Sequence, residues 1–224
     1  MSALRRSRAP CATIISAILL CMIGVLTASC GASRPVKYYV LDPGNAPEPP
    51  ESAAARFPIT LLVARLASSH LYRDDRLVYG SGPVQLGTYE YERWAAPPVE
   101  MVQESLITAL RTTGQYRSVS AIGSNLRGEY ILRGRLDSLD EVDKPALAAR
   151  FSIELELFDP RSGSTIWNGA YSHDQPVNGK TVANVVEALD QNVRTGVQQL
   201  TSSLSQFFAA HPPEPLPPAP FPRR

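Results

Sequence analysis

Two periods organise the apolar positions of this chain. In the first, apolar residues recur at every second position. Tyr130, Leu132, Gly134 and Leu136 alternate with Ile131, Arg133, Arg135 and Asp137, and Phe151, Ile153, Leu155 and Leu157 alternate with Ser152, Glu154 and Glu156. Successive strand side chains point to opposite faces, so this spacing predicts antiparallel strands with one core face and one polar face. Asp143-Lys144-Pro145 separates the two runs. Asp159-Pro160-Arg161-Ser162-Gly163 reads as a hairpin turn leading to a return strand through Thr165, Trp167, Gly169 and Tyr171. The second period is helical. Val182, Val185, Leu189, Val193, Val197, Leu200, Leu204 and Phe207 or Phe208 form one stripe, opposite a side of Gln, Asn, Ser and Thr. Such a helix lies on a sheet and does not cross a membrane.

The N-terminal half carries the same two signals in shorter pieces. Pro97-Pro98 opens a helix whose stripe is Val99, Val102, Leu106 and Leu110, with Glu100 near its start and Arg111 near its end, and Gly114 as its stop. Strands are predicted at Tyr38–Leu41, Ile59–Leu66, Arg76–Tyr79, Leu86–Trp94 and Tyr116–Ile122. The charged stretch before Arg76, with His70, Arg73, Asp74 and Asp75 around Tyr72, reads as a solvated loop. The expected fold class is α+β: a mostly antiparallel sheet with two main helices on one face, an α/β sandwich.

The first 29 residues follow a different rule. Arg5, Arg6 and Arg8 precede an apolar stretch, Ile14 to Leu26, which is short for a membrane-spanning helix and ends in Thr27-Ala28-Ser29-Cys30. That is the pattern of an export signal, and the small residues before Cys30 match the bacterial lipoprotein box at Ala28, Ser29 and Cys30. Thr27 departs from it, since a larger aliphatic residue is usual there. The expected organisation is a signal peptide over 1–29 and a lipidated tether over 30–37, with Cys30 as the lipidation site. A domain over 38–210 and a Pro-rich, disordered tail over 211–224 complete it. Gly31 stands where an Asp would signal inner-membrane retention, which favours the outer membrane.

Charge and chemistry narrow the function. The formal net charge is +1, and loss of a segment with three arginines and no acid leaves the mature chain slightly negative, which gives no case for nucleic acid. Cys11 and Cys21 leave with the signal, so no disulfide or cysteine metal cluster is expected in the mature chain. The sequence holds neither a phosphate-binding G-x-x-x-x-G-K-[ST] loop nor a G-x-S-x-G elbow. His70, His173 and His211 are widely separated, and Glu154 with Glu156 fits the wet side of an amphipathic strand. The expectation is therefore no catalytic residue, no metal, no cofactor and no enzyme. On the strand Leu86–Trp94, Tyr89, Tyr91 and Arg93 share a parity, and these residue types are enriched in binding hot spots, so they are the candidate partner-binding residues. The neighbouring Trp94 is expected in the core.

Several of these features occur together in one family. Tyr38-Tyr39-Val40-Leu41 follows the lipobox, then Leu71-Tyr72-Arg73-Asp74-Asp75-Arg76-Leu77-Val78-Tyr79, then Tyr91-Glu92-Arg93-Trp94-Ala95-Ala96-Pro97, then Leu157-Phe158-Asp159. In their order and spacing the chain resembles the ABC-type transport auxiliary lipoprotein component family, the PqiC/YmbA-like lipoproteins, over roughly Tyr38 to Phe208. The resemblance implies a non-enzymatic periplasmic lipoprotein that works beside an ABC transporter permease/ATPase complex and an MCE-type periplasmic protein, moving lipids or other apolar molecules between membranes. It also leaves room for a homo-oligomer. Two further readings stand at this stage: an outer-membrane assembly lipoprotein of the lipopolysaccharide-insertion kind, and a lipid-anchored hydrolase.

Overall fold

The computed structural model describes residues 34–42, 55–80, 84–123 and 127–213. The expected signal peptide, Cys30 and the tail from 214 onward lie outside the described residues.

One strand carries the sheet. β7 (Tyr130–Val142) pairs along one edge with β8 (Ala148–Asp159), antiparallel, from Ile131 opposite Phe158 to Val142 opposite Ala148. β8 in turn pairs antiparallel with β9 (Ser164–Pro176) across the hairpin at Asp159–Gly163. Along its other edge β7 takes three short strands in succession, all parallel. These are β2 (Phe57–Val63) beside Tyr130–Leu132, β3 (Ala67–Ser68) beside Arg135–Leu136, and β4 (Arg76–Gly80) beside Asp140–Val142. β6 (Tyr116–Ala121) lies parallel beside β2. β5 (Leu86–Trp94) lies antiparallel beside β4, and β1 (Lys37–Tyr39) is parallel on its outer side. The three longest strands are therefore antiparallel to one another, and every parallel pair includes a shorter strand.

A bulge lets β7 serve both halves. Between Leu136 and Ser138 the register against β8 shifts by one, so Leu132 and Leu136 before it and Leu139 after it all reach the core. Phe151, Ile153, Leu155 and Leu157 on β8 face the same way and are buried, as their alternation predicts.

Both helices cover that face. α1 (Pro98–Thr112) starts on its proline and buries Val99, Val102, Leu106 and Leu110, and the Arg111 guanidinium donates to the Val119 carbonyl at 2.9 Å. α2 (Val182–Ala210) begins with a capping box between Thr181 and Asn184. Its buried Asn192 donates to the Ala149 and His173 carbonyls, each at 2.9 Å, and accepts from the Tyr171 hydroxyl at 2.7 Å. A polar residue in an apolar stripe is thus fully satisfied, and it fixes where α2 sits over β8 and β9. At the far end of α2, Phe208 packs among the rings of Phe57, Tyr116 and Tyr130.

The segment read as a solvated loop is solvated only in part. His70–Tyr72 forms a single 3-10 turn, and Tyr72 is buried against the sheet, while Arg73 and Asp74 are exposed as expected.

Candidate partner interface

β5 and its neighbours hold the residues singled out for binding. Trp94 is buried, in register with Tyr39 of β1, and its backbone amide donates to the Asp75 carbonyl at 2.6 Å. β1 therefore covers β5 at Glu92–Trp94. The Glu92 carboxylate accepts from Lys37 Nζ at 3.0 Å and from the Tyr39 hydroxyl at 2.7 Å. Burial and the Glu92 carboxylate push the Tyr39 hydroxyl up to about 12.

Tyr89, Tyr91 and Arg93 are all half-buried, but they do not form one simple row. Arg76 pairs with Arg93 while Val78 pairs with Thr88, so a bulge in β5 separates Tyr89 from Arg93 and interrupts the alternation. Tyr89 turns towards Tyr79, with ring centroids 5.0 Å apart, and its hydroxyl donates to Glu141 Oε2 at 2.8 Å. Burial, reinforced by the Glu141 carboxylate, holds that hydroxyl protonated well above the ordinary tyrosine range. Arg93 turns towards the 3-10 segment and donates to Asp75 Oδ1 at 2.7 Å. Local periodicity could not show this, because the bulge is set by pairing with β4.

Sequence reasoning also missed a second polar feature, on the sheet face away from α2. Asp140 is 2% exposed, and its Oδ1 accepts from the Tyr72 hydroxyl at 2.9 Å. Burial raises the Asp140 carboxyl above its ordinary range, against the opposing pull of the Tyr72 hydrogen bond and Arg150. Above it Arg150 binds Asp174 through two hydrogen bonds of 2.8 and 2.9 Å, which draws the Asp174 carboxyl down. Ser138, Arg150, Ser152, Ser172, His173 and Asp174 line a shallow depression of 620 Å³ there. Its open shape and mutually paired charges suit a solvated surface better than a reaction centre. The only sequence signal for it was a tyrosine among charges at 70–76.

Glu154 and Glu156 stand on this wet face, where Glu156 accepts from Arg133 and from Thr165. His70, His173 and His211 lie on the 3-10 turn, on β9 and just past α2, and His211 stacks on Phe207 at 4.7 Å. Among the described residues no group of three or more His, Cys, Asp or Glu side chains is placed to hold a metal ion.

Comparison with known proteins supplies what the geometry alone does not. A family model described as "ABC-type transport auxiliary lipoprotein component" matches residues 39–201, from β1 to the C-terminal third of α2. The chain belongs to this family. The fold agrees. The crystal structure of protein XCC0632 from Xanthomonas campestris superimposes with a TM-score of 0.69 at 18% identity, over 79% of this chain and 98% of that one. A second crystal structure, of an uncharacterized protein, gives a TM-score of 0.60 at 15% identity, over 76% and 99% of the two chains. No curated protein matches the sequence. In this auxiliary lipoprotein the family's matched region coincides with the mixed sheet and its two covering helices, so the fold described above is the family's domain.

Proposed function

We propose that the protein is a non-catalytic, outer-membrane-anchored periplasmic component of an ABC transport system that includes an MCE-type protein and moves lipids or other apolar molecules between the two membranes. The family match over 39–201 carries the reading, and the lipobox ending at Cys30, with Gly31 after it, supports the anchor and its sorting. The contact with the transport partner is assigned to the β5 surface at Tyr89, Tyr91 and Arg93. Tyr89 is held in place by Glu141 and Tyr79, and Arg93 by Asp75, so docking there orders few side chains anew.

The test is co-purification from detergent-solubilised membranes, with the MCE-type protein and the permease as prey. The wild-type chain is expected to retain both. The triple change of Tyr89, Tyr91 and Arg93 to Ala is expected to lose them while the protein stays folded by circular dichroism. Retention of both by the folded triple variant would place the contact elsewhere, and failure of the wild type to retain either would overturn the transport assignment.

A further inference from the structure

Of the six large apolar side chains left exposed among the described residues, three fall on β1 and its flanks: Val36 at 40%, Tyr38 at 65% and Val40 at 63%. They occupy alternate positions, so they form a row along one face of the strand, with Tyr38 in register with Arg93. β1 ends the strand order, and no strand pairs with its outer edge among the described residues. The row is nevertheless held firmly. Leu41 is buried just beyond it, the Tyr39 carbonyl accepts from Ala95, and the Asp42 amide donates to Asp190 on α2 at 2.8 Å.

We infer that the Val36–Tyr38–Val40 row rests on the surface of the membrane to which Cys30 anchors the chain, and so sets the orientation of the domain; this rests on the anchoring proposed above. Val36 follows Cys30 by six residues, so a fully extended chain holds the near end of the row within about 20 Å of the anchor. A lipid surface is therefore within reach of the row at all times, at the high effective concentration of an intramolecular contact. Three side chains expose too little area for a stable protein interface, which calls for roughly 1,000 Å². They are enough to orient a domain that is already tethered. Tyrosine, with an apolar ring and a polar tip, suits the boundary between acyl chains and headgroups, and valines on either side of it would enter the apolar edge of that boundary.

The mature chain provides its own handle for the test, because Cys30 is the one cysteine left after Cys11 and Cys21 are removed with the signal. The chain beginning at Cys30 is coupled through that thiol either to a maleimide lipid in phosphatidylethanolamine–phosphatidylglycerol vesicles or to a soluble maleimide polymer, and hydrogen–deuterium exchange is compared. Exchange across Val36–Leu41 is expected to slow roughly fivefold on the vesicles, with peptides from β5 and α2 unchanged. In the Val36→Ser, Tyr38→Ser, Val40→Ser variant the slowing is expected to vanish at unchanged melting temperature. Equal exchange in the two coupled forms overturns the inference, as does slowing that survives the triple substitution. Slowing of the soluble form on raising protein concentration would mean that a second copy covers the row, which overturns it as well. Fatty-acid labelling of Cys30 in cells is a separate readout: its failure removes the native anchor and leaves the vesicle result to stand on its own.

Discussion

Asp140 is the residue whose chemistry departs furthest from what its neighbours in sequence suggest. It follows the buried Leu139 in the polar run at the end of β7, yet it is sealed under Tyr72 and flanked by Arg150. Its folded-state pKa is raised from 3.8, chiefly by burial, so the folded protein holds this proton more tightly than the unfolded chain does. Its contribution to stability is then fully present below the ordinary value and is lost as pH rises through the raised one. Asp140→Asn keeps an acceptor for the Tyr72 hydroxyl and removes the titration. Relative to the variant, the wild type is expected to lose stability as pH rises above the ordinary carboxylate range, and urea melts below and above that range measure it. A difference that stays flat with pH would show Asp140 to be hydrated in solution. Nothing in the local pattern marked this carboxylate, because what buries it arrives from a turn that is remote in sequence.

At the scale of elements, the periodic segments were the legible ones. β5 runs over Leu86–Trp94 as its alternation predicts, and both helices lie where their stripes place them. What the pattern could not carry was partnership. The parallel neighbours of β7, and the bulges at Leu136–Ser138 and in β5, depend on which distant strand lies alongside. For the same reason Tyr89 and Arg93 looked like one row and reach different partners. The contact of α2 with the sheet shows how close such packing comes. Gly196 sits over Tyr171 and Phe151, and a Cβ built on it would come within 2.5 Å of Tyr171 Cδ1 and 2.8 Å of Phe151 Cε1. Glycine in a helix ordinarily costs about 1 kcal/mol relative to alanine. Here the clash with two packed rings outweighs that gain, so Gly196→Ala is expected to destabilise by about 1–3 kcal/mol in a denaturant melt. A stabilised variant would mean that α2 can lift away from the sheet freely.

For the whole molecule, the lipid anchor proposed at Cys30 governs position in the cell. Cys30→Ser is expected to abolish fatty-acid incorporation, to block lipoprotein-type cleavage of the signal and to remove the protein from the outer-membrane fraction on sucrose-gradient separation. The folded domain is expected to remain intact, since the described sheet and helices contain no disulfide and draw on residues from Lys37 onward. Persistence of the variant in the outer-membrane fraction would mean that protein contacts, not a lipid, hold it there.

The central place of β7 has a consequence for the time order in which the molecule assembles. On one side its partner β8, and β9 beyond that, follow it at once in the chain, while β2 joins it across a long interval, as the Thr60–Glu129 contact spans 69 residues. Local contacts close at little entropic cost and distant ones at more. Pulse-labelling exchange during refolding is therefore expected to protect β7, β8 and β9 before β2 and β6, and protection in the reverse order would contradict this. Under the export proposed above, delivery from the N-terminus would present β1 to β6 before the strand they need. Until Val142 has emerged, β2, β3 and β4 each keep one edge unpaired, and those edges are open to wrong partners for that interval.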